Sequence, residues 1–575
     1  MTVEEYNPEK NQISSVSVNS LDEKATTSHS SVAENPNVDD YISKFLDMSN
    51  TARAEDERDK TMSLKECIKT FPKACLWSVI ISTAIIMEGY DTNLLASFYA
   101  YEGFAKKFGK YYPDLGEYQV PAKDQLGLSM CYQVGGIIGV WAGAHFADLV
   151  GYRYTMVPAL LTSIGLIFMQ FFAPNVHVLM GAYFLLGVNW GSYQTVCVSY
   201  AMDIAPTGLR LYLTTYINCC WVFGQLISSG VIKAISNSSD PHAYRIAFGI
   251  QWIWPIPIAF AIFFLTPESP YFLVRKNRLA EAKKSLIRLL SENEFLPNKD
   301  IIADKEEAMF KGASVIECFK GTNFRRTRIA SLTWLVQNIT GASLMGYSTY
   351  FYQNAGVPVS MSFTFSIIQY CLGILGTLGS WFLSQKMGRF PIYFYGLMCM
   401  TVVLFITGGL GCSDTKSASM GAGSMLMVYT FVYDLTIGPL CYCIVGEIPS
   451  SKLRAKTVML ARNLYNVSGI VNAIVIPYML NPTEWNWKAK TAFLWAGIAV
   501  FSMVWVYFEL PETKGRTFAE LDKLFEAKVP ARKFKDTIPK TFDAGELMEK
   551  MGNEGVKAVI HDTQHVENAE IEMKA

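Results

Sequence analysis

Long apolar runs alternate with short polar turns along this chain. A helix needs roughly 20 apolar residues to cross a bilayer. Twelve segments fit that length, near 74–98, 124–147, 154–174, 177–202, 210–234, 245–266, 328–352, 360–384, 391–411, 421–446, 456–480 and 488–510. Three longer polar stretches stand apart: a tail over 1–70, a charged connector over 268–327 and a second tail over 512–575. The pattern predicts an all-α membrane protein with twelve transmembrane helices, six in a bundle over 71–267 and six in a bundle over 328–511.

A repeat inside the chain supports that division. Asp203-Ile-Ala-Pro-Thr-Gly-Leu-Arg210 and Glu447-Ile-Pro-Ser-Ser-Lys-Leu-Arg454 share acid, turn and arginine, and they stand 244 positions apart. Pro267-Glu268-Ser269-Pro270 returns at the same offset as Pro511-Glu512-Thr513-Lys514. A looser pair sets Asp148, Gly151 and Arg153 against Gln385, Gly388 and Arg389. Equal spacing implies equal architecture, and two parallel halves around a central site is a plan many secondary transporters share.

Composition narrows the picture. Hydrophobic residues make up 51% and charged residues only 17%, against about 25% charged in soluble domains. The net charge is zero, so no basic face suggests nucleic acid. The first 70 residues hold no apolar run of signal-peptide type, so the first span is expected to act as its own insertion signal. Most of the twelve cysteines fall inside spans, where they read as small hydrophobes. Without a Cys-x-x-Cys pair or a histidine cluster, neither metal nor cofactor is expected, and no nucleophile–base set points to an enzyme.

Lysine and arginine placement predicts orientation. The connector carries Arg275, Lys276, Arg278, Lys283, Lys284, Arg288, Arg325, Arg326 and Arg328, and the short turns of the same side carry Arg153, Arg210, Lys386, Arg389, Lys452, Arg454 and Lys456. Both tails, the connector and the repeated phrases are expected in the cytoplasm. Asn237-Ser238-Ser239 then lies in an outer loop as a candidate glycosylation site. Residues 1–60 have a disorder-like composition. Leu279, Ala282, Leu286 and Leu290 form one helical stripe, and Thr517-Phe-Ala-Glu520 reads as a capping box. The paired acids and arginines at span ends, Asp148, Arg153, Asp203, Arg210, Glu268, Arg389, Glu447, Arg454 and Glu512, are expected to form a cytoplasmic gate.

An ionisable residue inside a span is costly and functional by default. Glu88 and Asp91 lie three apart in the first span, on one helical face. Asp434 falls in the tenth span and Arg462 in the eleventh. Arg462 can pair with Glu88, Asp91 or Asp434, and the sequence does not choose among them. These four are the candidates for proton coupling.

Gly89-Tyr90-Asp91, Phe223-Gly-Gln225-Leu, Pro267-Glu-Ser-Pro270, Gln337-Asn338 with Gly341, Gly388-Arg389, Glu447-Ile-Pro449 and Pro511-Glu-Thr-Lys-Gly-Arg516 resemble the sugar porter family of the major facilitator superfamily. Tyr212-Leu-Thr-Thr-Tyr216, Gln251-Trp-Ile-Trp-Pro255, Arg462-Asn463 and Trp485-Asn-Trp487 resemble its fungal α-glucoside (maltose) permeases. The resemblance covers about 65–535. It implies alternating access around one central sugar site, with proton symport where the first span carries an acid such as Asp91. By position it carries over Gln225, Gln337, Asn338, Ser343, Tyr442 and Asn463 or Asn466 as sugar ligands. Amides both donate and accept to hydroxyl pairs, and an aromatic face packs on the C–H side of a sugar ring.

The sequence departs from the family in having no arginine between 177 and 202, Gly136 where an acid is usual and Asp434 where a neutral residue is usual. The resulting expectation is a monomeric plasma-membrane importer of maltose or related α-glucosides driven by protons, embedded in the lipid bilayer. A facilitative hexose transporter is the alternative, and a transport-dead sugar sensor a more distant one.

Overall fold

The computed structural model describes residues 64–537, apart from 114–115, 237–239, 241, 277, 290–313, 355–356, 414, 451–452 and 482–483. Most of the N-terminal tail, the sequon at Asn237, and Lys452 and Leu290 lie outside the described residues.

Twelve long helical segments follow one another. The first span runs Pro72–Ser82 and Ala84–Phe98, the second Ala122–Val150, the third Tyr152–Phe171, the fourth Val176–Ile204 and the fifth Thr207–Ile235. The sixth joins Tyr244–Ile250 to Pro255–Phe264 through a 3-10 turn, Gln251–Ile253. The seventh is broken into Gly321–Ile339, Ala342–Gly346 and Ser348–Asn354. The eighth is Val359–Lys386, the ninth Arg389–Leu410, the tenth Lys416–Leu435 with Ile437–Glu447, the eleventh Arg454–Leu480 and the twelfth Ala492–Glu509. Among the described residues, nine of these are long and apolar enough to cross a membrane by composition alone. The other three, the fourth, fifth and seventh, carry Asn189, Gln194, Asn218, Gln225, Gln337 and Asn338. These polar side chains, with Arg325, Arg326 and Arg328 at the start of the seventh, lower the mean hydropathy of the three segments.

Packing repeats as the sequence does. The first span packs on the fifth, the second on the fourth, and the third on the fourth and sixth. Adding six to each gives the contacts of the second half: seventh on eleventh, eighth on tenth, ninth on tenth and twelfth. The halves meet through the second and eleventh spans and through the fifth and eighth, and that pair of contacts also maps onto itself. This is the major facilitator arrangement of two six-helix bundles. Side-chain polarity is inverted relative to a soluble protein: Phe382 and Phe501 are 70% and 80% exposed on the outer face, while glutamines, asparagines and carboxylates fill the centre. The outer face meets lipid, so its exposed phenylalanines are where a membrane protein needs them.

The sixth, seventh and tenth spans are interrupted at points the apolar pattern does not reveal. Pro439 has no N–H to give to the Leu435 carbonyl, and the tenth span interrupts at Thr436 (φ −126°, ψ −85°). Pro255 likewise gives nothing to Gln251, whose carbonyl instead accepts the Trp254 N–H at 3.3 Å in the 3-10 turn. The seventh span turns at Gly341, at φ 104°, a left-handed conformation that glycine adopts without steric cost.

Outside the spans, a short helix Glu102–Phe108 and a two-stranded antiparallel hairpin, Lys110–Tyr112 with Glu117–Gln119, follow the first span. The connector helix forms over Leu279–Leu289, with Ala282 and Leu289 buried. The Thr517–Glu520 capping box opens a helix over Phe518–Glu526, each side chain satisfying the other residue's backbone N–H.

Candidate functional site

A cavity of about 170 Å³ lies between the halves. Gln225, Gln337, Asn338, Ser343 and Tyr442 line it, together with Asn93, Tyr132, Asn218, Trp221, Tyr347, Asp434 and Asn472. The broken seventh span positions three of these. Gln337 donates to the Gly438 carbonyl at 3.0 Å, and Asn338 donates to the Ser468 hydroxyl at 2.7 Å. Asn472 donates to Ser343 Oγ at 2.8 Å and to Asn338 Oδ1 at 3.2 Å. Tyr442 stands edge-on to Trp334, with ring centroids 5.8 Å apart. The result is a wall of amides, hydroxyls and aromatic faces, a surface suited to a neutral polyhydroxylated ligand.

Asn463 and Asn466 are not on the cavity wall. Asn463 donates to the Met459 carbonyl one turn back at 3.1 Å. Asn466 faces Gly136 of the second span, where an added Cβ would lie 3.2 Å from its Nδ2. Asn218 and Asn472 occupy the wall without having been expected. Asn218 is seven residues before Gln225, two turns along the same helical face, a spacing that could have revealed it.

The charged residues separate into distinct settings. Glu88 and Arg462 are 1% and 2% exposed and form an ion pair across the halves at 3.3 Å. The pair settles the choice the sequence left open. Gln194 donates to the other Glu88 oxygen at 2.6 Å, and Tyr132 donates to the first at 3.3 Å. Arg462 also lies over the Tyr465 ring at 4.2 Å. Gly89 lets the first span meet the fifth closely: a Cβ there would be 2.2 Å from the Trp221 carbonyl oxygen. Asp91, fully buried, accepts among the described residues from neutral donors alone: Gln170 at 2.8 Å, Gln251 at 2.9 Å and Tyr183 at 3.3 Å. Asp434 sits on the cavity wall beside the tenth-span break and accepts from Asn218 across the halves at 2.9 Å.

The repeated phrases assemble at one end of the bundle. Glu268 accepts the N–H groups of Tyr152 and Arg153 at 3.0 and 3.1 Å, at the start of the third span. Glu512 does the same for Arg389 and Phe390 at 2.9 and 3.2 Å, at the start of the ninth. Ser269 donates to Asp203 at 2.9 Å, as its counterpart Thr513 donates to Glu447 at 2.5 Å. Burial raises the Glu268 carboxyl above its usual range, against the lowering effect of its N–H donors.

The arginines of the two halves differ. Arg389 pairs with Glu447 at 3.0 Å within the second half, whereas Arg153 donates to the Phe263 carbonyl and lies over the Tyr154 and Phe263 rings. Arg454 reaches Asp203 of the other half at 3.4 Å. Arg210 and Arg454 also stand 3.8 and 3.9 Å from the centroid of one ring, Phe518. Asp148 lies in the last turn of the second span.

Glu512→Ala removes the acceptor of backbone N–H groups that open the ninth span. Its expected cost is about 1–2 kcal/mol, read as a lower thermal-unfolding midpoint of purified protein in detergent. An unchanged midpoint would show that the cap contributes nothing.

A two-bundle helical fold with buried charges beside a polar cavity defines a membrane transporter. Residues 77–525 match the family described as "Sugar (and other) transporter", and the chain belongs to that family. It is 46% identical over 505 residues to the maltose permease MAL61 of Saccharomyces cerevisiae, covering 86% of this chain and 82% of that one. It is 42% identical over 532 residues to the general alpha-glucoside permease of the same organism, covering 90% and 86%. The proton:xylose symporter XylE bound to 6-bromo-6-deoxy-D-glucose shares the fold, with a TM-score of 0.66 at 18% identity over 80% of this chain and all of that one. The chain is thus a multi-pass transporter and not an enzyme.

Proposed function

We propose that this protein imports maltose or related α-glucosides across the plasma membrane with protons, as a monomer with both tails in the cytoplasm. The observation that carries the reading is the juxtaposition of two buried carboxylates, Glu88 and Asp91, with a cavity walled by amides and aromatics. The similarity to the maltose and general alpha-glucoside permeases supports the substrate class. In this reading Gln225, Gln337, Asn338, Ser343 and Tyr442 bind the sugar, with Asn218 and Asn472 beside them. Asp91 exchanges the proton, and Glu88 with Arg462 links it to the movement of the halves. Asp203, Arg454 and their repeat partners close the cytoplasmic side.

The test is uptake of labelled maltose, sucrose, trehalose and glucose in a transport-null cell at pH 5 and pH 7, with and without an uncoupler. Accumulation of an α-glucoside that is stronger at pH 5 and lost with the uncoupler is the expected result. Uptake of glucose alone, unaffected by the uncoupler, would favour a hexose facilitator instead. The buried carboxylates favour the coupled reading, because a facilitator has no need of an acid in this position.

A further inference from the structure

The surroundings of Asp91 carry one inference more, which rests on the proton-coupled reading above. Gln170 at the end of the third span reaches Oδ2 of Asp91, while Gln251 of the sixth span and Tyr183 of the fourth reach Oδ1. The two amides also meet each other, Gln251 Nε2 donating to Gln170 Oε1 at 3.4 Å. All four residues are at most 1% exposed. Among the described residues no lysine, arginine or histidine forms an ion pair with Asp91. The other ionisable groups beside it are Tyr90, whose hydroxyl donates to the Ala247 carbonyl at 2.7 Å, and Glu88 one turn back, bound to Gln194, Tyr132 and Arg462. Asp91 therefore sits in a cage of neutral groups drawn entirely from the first half.

A buried acid that exchanges a proton needs hydrogen-bond partners in both of its states. The ionised form takes only donors, and the protonated form also needs an acceptor for its O–H. Arginine offers donors alone. A glutamine amide offers an N–H on one side and a carbonyl on the other, and a half turn about its terminal bond exchanges them. We propose that Gln170 and Gln251 are positioning residues that hold Asp91 in both protonation states, turning N–H towards the carboxylate and Oε1 towards the acid.

The sixth span is built to deliver one of them. Gln251 opens the 3-10 turn that Pro255 imposes, so its side chain leaves the helix where the backbone changes pitch. The phrase Gln251-Trp-Ile-Trp-Pro255 thereby acquires a purpose.

The experiment uses the full chain in proteoliposomes with maltose as the probe. Gln170→Met and Gln251→Met are compared with the wild type for maltose counterflow and for gradient-driven uptake across external pH. Losing an N–H donor disfavours the ionised form. Each variant is expected to keep counterflow at low pH, and its half-maximal uptake should move to higher pH by about one unit. Maximal uptake falls, because proton release on the inner side slows, while KM for maltose at low pH stays near the wild-type value.

A variant with full counterflow and a pH profile superimposed on the wild type would overturn the proposal. So would failure of both variants to fold, or loss of counterflow in both, since the amides would then serve stability or sugar passage alone. A wild-type protein that exchanges no maltose would overturn the transport reading and this inference with it.

Discussion

Replacing Arg462 by leucine is expected to abolish sugar uptake and to destabilise the protein by about 3–5 kcal/mol. The cause is the ion left behind. Glu88 is buried within the bundle, and Arg462 is its only cation among the described residues. Gln194 and Tyr132 still donate to it, but two neutral hydrogen bonds do not replace a guanidinium in a medium of low dielectric. A second substitution, Glu88→Gln, placed with Arg462→Leu, removes the orphaned charge and should restore most of the lost stability without restoring uptake. Thermal unfolding in detergent separates the two effects: equal destabilisation in the single and double variants would show that the ion pair is not the cause.

Asp91→Asn is expected to eliminate accumulation of sugar while counterflow survives. Asparagine keeps the shape of the side chain and fills the cage of Gln170, Gln251 and Tyr183, but its amide does not ionise at any relevant pH. One elementary charge moving through 100 mV gains about 2.3 kcal/mol, enough for about fifty-fold accumulation. Without the proton the concentration ratio should fall to unity. The check is sugar-triggered alkalinisation of the outer medium, followed with a pH electrode, beside counterflow of labelled maltose. Alkalinisation that persists in Asp91→Asn would move the proton site to Glu88 or Asp434.

The long helices and the two-fold repeat were legible in the sequence because lipid imposes a length and a polarity on each crossing segment. The 244-residue offset carried down to single hydrogen bonds, with Glu268 and Glu512 performing the same capping task. The helix breaks at Gln251, Gly341 and Thr436 were not legible, since an apolar run hides where its backbone hydrogen bonds fail. Gln251 opens one of these breaks and donates to Asp91, a partner that no pattern within the sixth span encodes. Asn472 was missed for a similar reason: its partners Asn338 and Ser343 are on a different span, and no periodicity within one segment encodes that meeting. Asn463 or Asn466 was expected at the cavity as the polar residue of the eleventh span, but Asn463 is taken up by the Met459 carbonyl and Asn466 by the contact with Gly136 of the second span.

The ring of Phe518 lies within 3.9 Å of two guanidinium groups, one from each bundle. Two cations that near a single centroid must occupy its opposite faces, since their planar groups would collide on the same one. The benzene ring is thus a spacer between like charges, attracting both through its negative faces, an effect worth about 0.5–2 kcal/mol per stacked cation. A mechanical consequence follows. Drawing the bundles apart at this end would unstack at least one arginine from the segment beyond the twelfth span. Shaving that phenylalanine to alanine removes both stacked contacts at once, while the Arg454–Asp203 pair still joins the bundles at this end.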